Sequence, residues 1–240
     1  MKLFIDIGNS FIKIAYKNEI LRYPTKVNYS LDSFLLLLPK NLKESKVQRI
    51  LISSVVPSIT STIKEMAIKN WKIDPIMIEY PIKTGIKLMA DNPKEVGSDL
   101  VCTAAYAASK TNEAIVVNIG TATTISHVKD KALQGTIICP GLQTSYNALT
   151  RMASKLNEIT LKISNKNVGR STEESISIGV LNGHAEMIRA LVKKINVNNA
   201  IVFLSGGASV LIKELLPEYE YVNEVTIEGM KVIEKLNYEK

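Results

Sequence analysis

The chain has 240 residues, 46% hydrophobic and 22% charged, enough for one large or two small globular domains with a sizeable core. Its longest apolar run, Leu35-Leu36-Leu37-Leu38, is far too short to span a membrane. Cys102 and Cys139 fit no metal spacing and make a poor disulfide framework, so a reducing, cytoplasmic setting is expected. The net charge is +7, yet Lys13, Lys17, Lys26, Lys40, Lys43 and Lys46 are scattered singly and aromatics are only 6%, which argues against a nucleic-acid surface.

Met1 runs directly into the strand-like Leu3-Phe4-Ile5, so no secretory leader is expected. Strands are predicted at Lys2 to Ile7, Phe11 to Tyr16 and Ile20 to Tyr23, the first two as a hairpin. A short helix, Ser33 to Leu38, stops at Pro39. Arg49 to Val55 reads as a buried strand, Ser58 to Asn70 as a helix behind Pro57, and Ile76 to Glu79 as a short strand. Pro93 opens a helix to about Lys110, apolar and small at Val96, Val101, Cys102, Ala104, Ala105 and Ala108. Strands then recur at Ala114 to Asn118, Thr123 to Val128 and Ala132 to Ile138, with a helix from Leu142 to about Lys155. Asn157 to Ser164 reads as irregular or extended. Ser171-Thr172-Glu173-Glu174 caps a long helix to about Ile195. Ala200 to Leu204 is a strand, Gly207 to Leu216 a helix, and Val225 to Leu236 a closing helix. Strand runs followed by helices, twice over, predict a duplicated α/β unit, divided into 1–112 and 113–240.

One phrase occurs twice, at Phe4-Ile5-Asp6-Ile7-Gly8-Asn9-Ser10 and at Val116-Val117-Asn118-Ile119-Gly120-Thr121-Ala122-Thr123. Each is an apolar run, a carboxylate or carboxamide, an Ile-Gly step and a small polar residue, followed by a second strand. Glycine turns let backbone N–H groups approach an anion without interference from Cβ, and Asn, Ser and Thr add neutral donors. Such a pair can hold a nucleotide's phosphates, which makes a phosphotransferase the leading reading, and a basic surface would help collect the anion.

Asp6 reads either as a magnesium ligand, direct or through water, or as a local backbone cap. Asp99, on the first turn of a helix after Gly97-Ser98, can accept a proton from a substrate hydroxyl or simply stabilise the helix dipole. Ser205-Gly206-Gly207-Ala208-Ser209 joins a strand to a helix and leaves room for a base or ribose, or is a plain tight turn. It matches neither a P-loop nor the dinucleotide fingerprint. His127 and His184 have no ligand-spaced partners and read as structural or solvated.

In this order the motifs resemble the type III pantothenate kinase family, across almost the whole chain. The residues are Asp6-Ile7-Gly8-Asn9-Ser10 with Lys13; Asn92-Pro93-Lys94-Glu95-Val96-Gly97-Ser98-Asp99; Gly120-Thr121-Ala122-Thr123-Thr124; Gly135 with Pro140-Gly141; Gly169 with Ser171-Thr172-Glu173; Gly179 with Gly183; and Ser205-Gly206-Gly207. The resemblance implies two ribonuclease-H-like domains of the actin-like superfamily around a central cleft. It implies phosphorylation of pantothenate with magnesium-ATP and a monovalent cation, potassium or ammonium. Asp6, Ile7, Gly8, Asn9, Ser10, Phe11, Ile12 and Lys13 would form the first ATP loop, Gly120 and Thr121 the second, and Gly206 and Gly207 the adenosine side. Asp99 would be the catalytic proton acceptor. Gly97, Ser98, Asp99 and Leu100 would line the pantothenate pocket and Thr172 would complete it, at the interface of a homodimer. Neither nucleic acid nor membrane is an implied partner.

The chain departs from the family pattern at four places. Asn118 replaces the Asp that holds the monovalent cation, Leu100 an Arg that pairs with the substrate carboxylate, Ala90 a Tyr, and Ser126 a second Asp. Arg151, Arg170 and Lys94 are candidates to replace the lost cation. These departures keep a second class open, a nucleotide-binding regulatory or accessory protein, and a third, another kinase of the superfamily acting on a polyol.

Overall fold

Two apolar cores organise the protein, each on a mixed β-sheet. The structure, a computed structural model, describes residues 1–25, 29–79, 82–153 and 159–239. Its compact units are Met1–Ile86 with Asp91–Ser109 and Thr226–Lys240, and Lys87–Ala90 with Lys110–Val225.

In the first unit β1 (Lys2–Ile7), β2 (Phe11–Tyr16) and β3 (Glu19–Pro24) form an antiparallel meander, with Asp6 opposite Lys13 and Ile7 opposite Ile12. After α1 (Leu31–Leu37) and α2 (Lys40–Lys43) come β4 (Arg49–Ser54), α3 (Pro57–Trp71) and β5 (Ile76–Met77). Strands β4 and β5 add in parallel on the far side of β1, giving the order β3-β2-β1-β4-β5. Continuous apolar runs explain why β1 and β4 are central, since both faces of each are covered. Ser30 caps α1, its Oγ accepting from Ser33 N at 3.1 Å, so that helix starts two residues earlier than expected. Pro57 opens α3, whose Ile59, Ile63, Met66 and Ala67 recur on one buried face.

Pro93–Glu95 is a single 3₁₀ turn, and the helix proper, α4 (Ser98–Lys110), begins only after Gly97. A short strand that no periodicity could announce, β6 (Lys87–Leu88), pairs with the second sheet.

The second unit repeats the plan of the first. β7 (Glu113–Ile119), β8 (Ala122–Lys129) and β9 (Ala132–Pro140) form the meander, while β10 (Ile201–Ser205) and β11 (Glu220–Tyr221) add in parallel beyond β7. The order β9-β8-β7-β10-β11 matches the first sheet strand for strand, with β6 as an extra edge. Helix α5 (Leu142–Met152) ends before residues 154–158; the expected extension to Lys155 and the start of the irregular stretch at Asn157 lie outside the described residues. The expected long helix is α6 (Thr172–Ser177) and α7 (Gly183–Ile195) joined by a π-helical turn, Ile178–Asn182.

The helix expected at 207–216 does not form. Ser209 N and Oγ both bond Gly206 O, at 3.0 and 2.6 Å, and tighten the chain into 3₁₀ turns at Ser209–Leu211 and Lys213–Leu215. The closing helix, α8 (Val225–Tyr238), groups from Thr226 onward with the first unit, a placement different from a split at residue 112. Only a glycine fits at position 229 there, because a Cβ would lie 1.8 Å from Cys102 O of α4. Glu234, 1% exposed, is held between Lys2 Nζ at 2.7 Å and the Arg49 guanidinium.

Candidate active site

The first glycine turn grows out of a strand that is buried almost throughout. Asp6 is 7% exposed, and Lys13 Nζ stands 3.8 Å from its Oδ2. Gly8 N donates to Phe11 O at 3.0 Å, closing a turn whose Asn9, Ser10 and Phe11 are exposed. Thr25, which sequence reasoning missed, braces the turn: its Oγ1 donates to Gly8 O at 2.6 Å and its N to Ser10 O at 2.9 Å. The fold itself does not demand glycine at position 8. Its φ is not positive, and an added Cβ would meet only Phe11 O at 3.4 Å.

Asp6 lies in register with Ser53 at the end of β4. Ser53 Oγ is 2.9 Å from Ser98 Oγ, which also accepts from Ser54 N at 2.9 Å and donates to Ser54 O at 3.1 Å. Ser98 therefore bolts the start of α4 to the strand end beside β1. The next residue is Asp99. Its Oδ1 accepts from Leu100 N at 2.8 Å, a bond within the first turn of α4. Burial nevertheless dominates and pushes its carboxyl up from the usual range, with the backbone donors pulling back. One turn on, burial drives the Cys102 thiol far up; the charge of Asp6 and, less strongly, that of Asp99 add to it. The first unit thus gathers Asp6, Asp99 and Ser53 around one buried thiol. The hydroxyl pair Ser53-Ser54, ending an apolar strand, was the signal available for this link. Gly97 and Leu100 flank Asp99, both half-buried.

In the second unit Gly120 N donates to Ala122 O at 2.9 Å, a turn one residue shorter than its counterpart. Two other glycines clamp it. A Cβ at Gly141 would lie 2.1 Å from Gly120 O, while Gly141 N and Thr144 Oγ1 donate to Thr121 O at 3.0 and 2.7 Å. Gly206 has φ +100°, and a Cβ there would lie 2.4 Å from Ile119 N and O. Glycine is obligatory at both positions because main chain meets main chain. Gly207 faces open space. Asn118 is half-buried, in register with Thr124 and Ser205.

His184 is buried, its Nε2 2.8 Å from Thr123 Oγ1, and burial lowers its pKa so that it is neutral at pH 7. His127 Nε2 lies 3.0 Å from Glu113 Oε1 and Lys129 Nζ 3.2 Å from the other oxygen, a half-exposed structural cluster. A cavity of about 910 Å³ lies in this unit, between α5 and the α6–α7 segment. Thr172 forms part of its wall and His184 part of its lining. Among the described residues no group of three or more His, Cys, Asp and Glu side chains forms a metal cage, and no helix is long and apolar enough to cross a membrane.

A sequence model described as type III pantothenate kinase matches residues 2–194. A Mycoplasma mobile protein named type III pantothenate kinase is 36% identical over 236 residues, covering 96% of this chain and 97% of its own. Among solved structures, a conserved Baf family protein of Campylobacter jejuni superposes with a TM-score of 0.66 at 20% identity, covering 98% of both chains. MreB 5 of Spiroplasma citri, solved with AMPPNP, does so with a TM-score of 0.54 at 10% identity, covering 98% of this chain and 96% of that one. At these identities the structures establish the fold alone, which is that of the actin-like ATPases.

Proposed function

This chain belongs to the type III pantothenate kinase family, and we propose that it transfers the γ-phosphoryl group of ATP to the primary hydroxyl of pantothenate. The product is 4'-phosphopantothenate, and the step is the first of coenzyme A biosynthesis. The observation that carries this reading is the family match over residues 2–194, with relatives that align along nearly their whole length.

Residue roles follow from chemistry. The hydroxyl oxygen attacks the γ-phosphorus, its proton passes to a carboxylate of Asp99, and the bond to the bridging oxygen breaks to release ADP. Supporting Asp99 in this role is its burial, which raises its affinity for a proton and makes it a better base than an ordinary surface carboxylate. The Ser98 links hold it at a defined place on α4. The turn from Asp6 to Lys13 presents backbone N–H groups and the Lys13 ammonium to the phosphates; the turn at Gly120 and Thr121 offers the same kind of donors. Gly8 supports this role, because the fold leaves room for a side chain there and only an approaching ligand would need it absent.

Magnesium accompanies ATP and would neutralise charge on the phosphate oxygens. A single buried carboxylate, Asp6, fits a magnesium ion that takes its other ligands from water and phosphate rather than from a protein cage. Asn118 offers a monovalent cation one neutral oxygen, which supports weak dependence on potassium or ammonium. Gly97, Ser98 and Leu100, beside Asp99 on the start of α4, would border the acceptor. The functional form is a homodimer; Met152 at 87% and Val168 at 77% exposure supply apolar surface for self-association.

The test is ADP release with and without pantothenate, together with the mass of the product. ATP consumption that ignores pantothenate, or the absence of phosphopantothenate, overturns the assignment.

A further inference from the structure

In a trans peptide the C=O points opposite to the N–H that follows it. The direction in which a turn's carbonyls face therefore decides what that turn offers an anion. In the first glycine turn two carbonyls are drawn to one residue, Thr25, which follows the end of β3. Gly8 O accepts from Thr25 Oγ1 at 2.6 Å, and Ser10 O accepts from Thr25 N at 2.9 Å. The N–H groups of Asn9 and Phe11 belong to the same two peptide units, so they face away from Thr25.

The two bonds do different jobs. The one from Thr25 N extends the pairing of β2 with β3, in which Phe11 lies opposite Pro24, and it needs no particular side chain. The one from Oγ1 reaches Gly8, the freest point of the turn. Without a Cβ the peptide plane after Gly8 turns over at little cost. Turned over, it would put a carbonyl oxygen where the Asn9 N–H stood and repel a phosphate. The hydroxyl of Thr25 holds that plane.

The second unit reaches the same result by another route. Its Pro140 lies opposite Ala122, and the next residue, Gly141, donates its N–H to Thr121 O at 3.0 Å, as Thr25 does to Ser10 O. Glycine has no hydroxyl to add, and Thr144, three residues on, supplies one: its Oγ1 donates to Thr121 O at 2.7 Å. Each turn thus has a threonine hydroxyl on a carbonyl, although the two threonines stand at different places after their strands. We propose that Thr25 is a positioning residue for ATP, its hydroxyl holding the Gly8–Asn9 peptide with the N–H toward the phosphates and the carbonyl away from them. The inference rests on the kinase reading of this turn and deepens it. Thr25 acts through Gly8 and makes no contact with the nucleotide in this role.

The experiment compares wild type with Thr25→Val, Thr25→Ala and Thr25→Ser, each well below its melting temperature. Affinity for a non-hydrolysable ATP analogue with magnesium is read by calorimetry, and turnover by ADP release. One neutral hydrogen bond is at stake, so Thr25→Val and Thr25→Ala are expected to weaken the analogue about tenfold in Kd. Thr25→Ser keeps the donor and should stay within about threefold of wild type. The KM for pantothenate and kcat at saturating ATP should move by less than about twofold, which a general loosening of the unit would not allow. Unchanged affinity in both hydroxyl-free variants overturns the inference. So does a serine variant as weak as the valine one, or a pantothenate KM that rises in step with the analogue's Kd. A wild type that binds the analogue but phosphorylates nothing overturns the kinase reading alone, and the variants' affinities still decide the role of Thr25. A wild type with no affinity for the analogue overturns both.

Discussion

Replacing Asp99 by Asn isolates proton acceptance from everything else that side chain does. The carboxamide has the same shape, and its oxygen can still accept from Leu100 N, a bond of 2.8 Å in the native chain. Substrate and ATP should therefore bind nearly as before. Loss of a positioned general base slows such a step by about 10²- to 10⁴-fold, roughly 3 to 5 kcal/mol in the barrier. The assay is steady-state ADP release at saturating ATP with pantothenate varied. Burial raises the native carboxyl above the usual range, so the acid limb of wild-type kcat should lie above that of an ordinary surface carboxylate, with activity gained as pH rises through it. Stability runs the other way. A group whose folded pKa is raised favours the folded state below its unfolded pKa, near 3.9, and that contribution is lost as pH rises through the folded value. Asp99→Asn should thus melt at a higher temperature than wild type at pH 7, and the gap should close in acid. An Asn variant retaining more than about a third of wild-type kcat would refute the reasoning.

Three other perturbations follow from the geometry. Gly8→Ala should leave the melting temperature nearly unchanged, since the new Cβ meets only Phe11 O at 3.4 Å, yet raise the KM for ATP several-fold; an unchanged KM removes that turn from the phosphate site. Gly141→Ala should instead destabilise by more than about 2 kcal/mol in urea unfolding, because its Cβ would lie 2.1 Å from Gly120 O. Glu234→Ala takes the buried partner from Arg49 and leaves Lys2 with Glu239 alone, and should cost about 2 kcal/mol, below the usual figure for a buried pair because the Lys2 and Arg49 side chains are 34% and 27% exposed. Titrating potassium chloride into a sodium-free assay should change activity by less than about twofold, while Asn118→Asp should create saturable activation; strong activation of the wild type would contradict the role given to the neutral carboxamide.

Local composition carried a large part of this protein. The repeated Ile-Gly turns, the apolar strands around them and the existence of the helix running to Lys110, though not its start after Gly97, were legible because each rests on residues a few positions apart, where propensity, period and turn chemistry agree. That is why both meanders and the position of Asp99 on a first helical turn could be read directly, and why the 207–216 stretch, periodic but diverted by Ser209 bonding Gly206 O, could not. The duplicated sheet order, the two-residue strands β6 and β11 and the grouping of α8 depend on partners distant in the chain and leave no local period. The same holds for the chemistry. Nothing near position 98 says that its hydroxyl bonds the end of β4, and nothing near 141 says that a glycine is forced there by Gly120. Residue types set which chemistry was available; long-range packing, where one main chain rests on another, decided which groups meet and which glycines have no substitute.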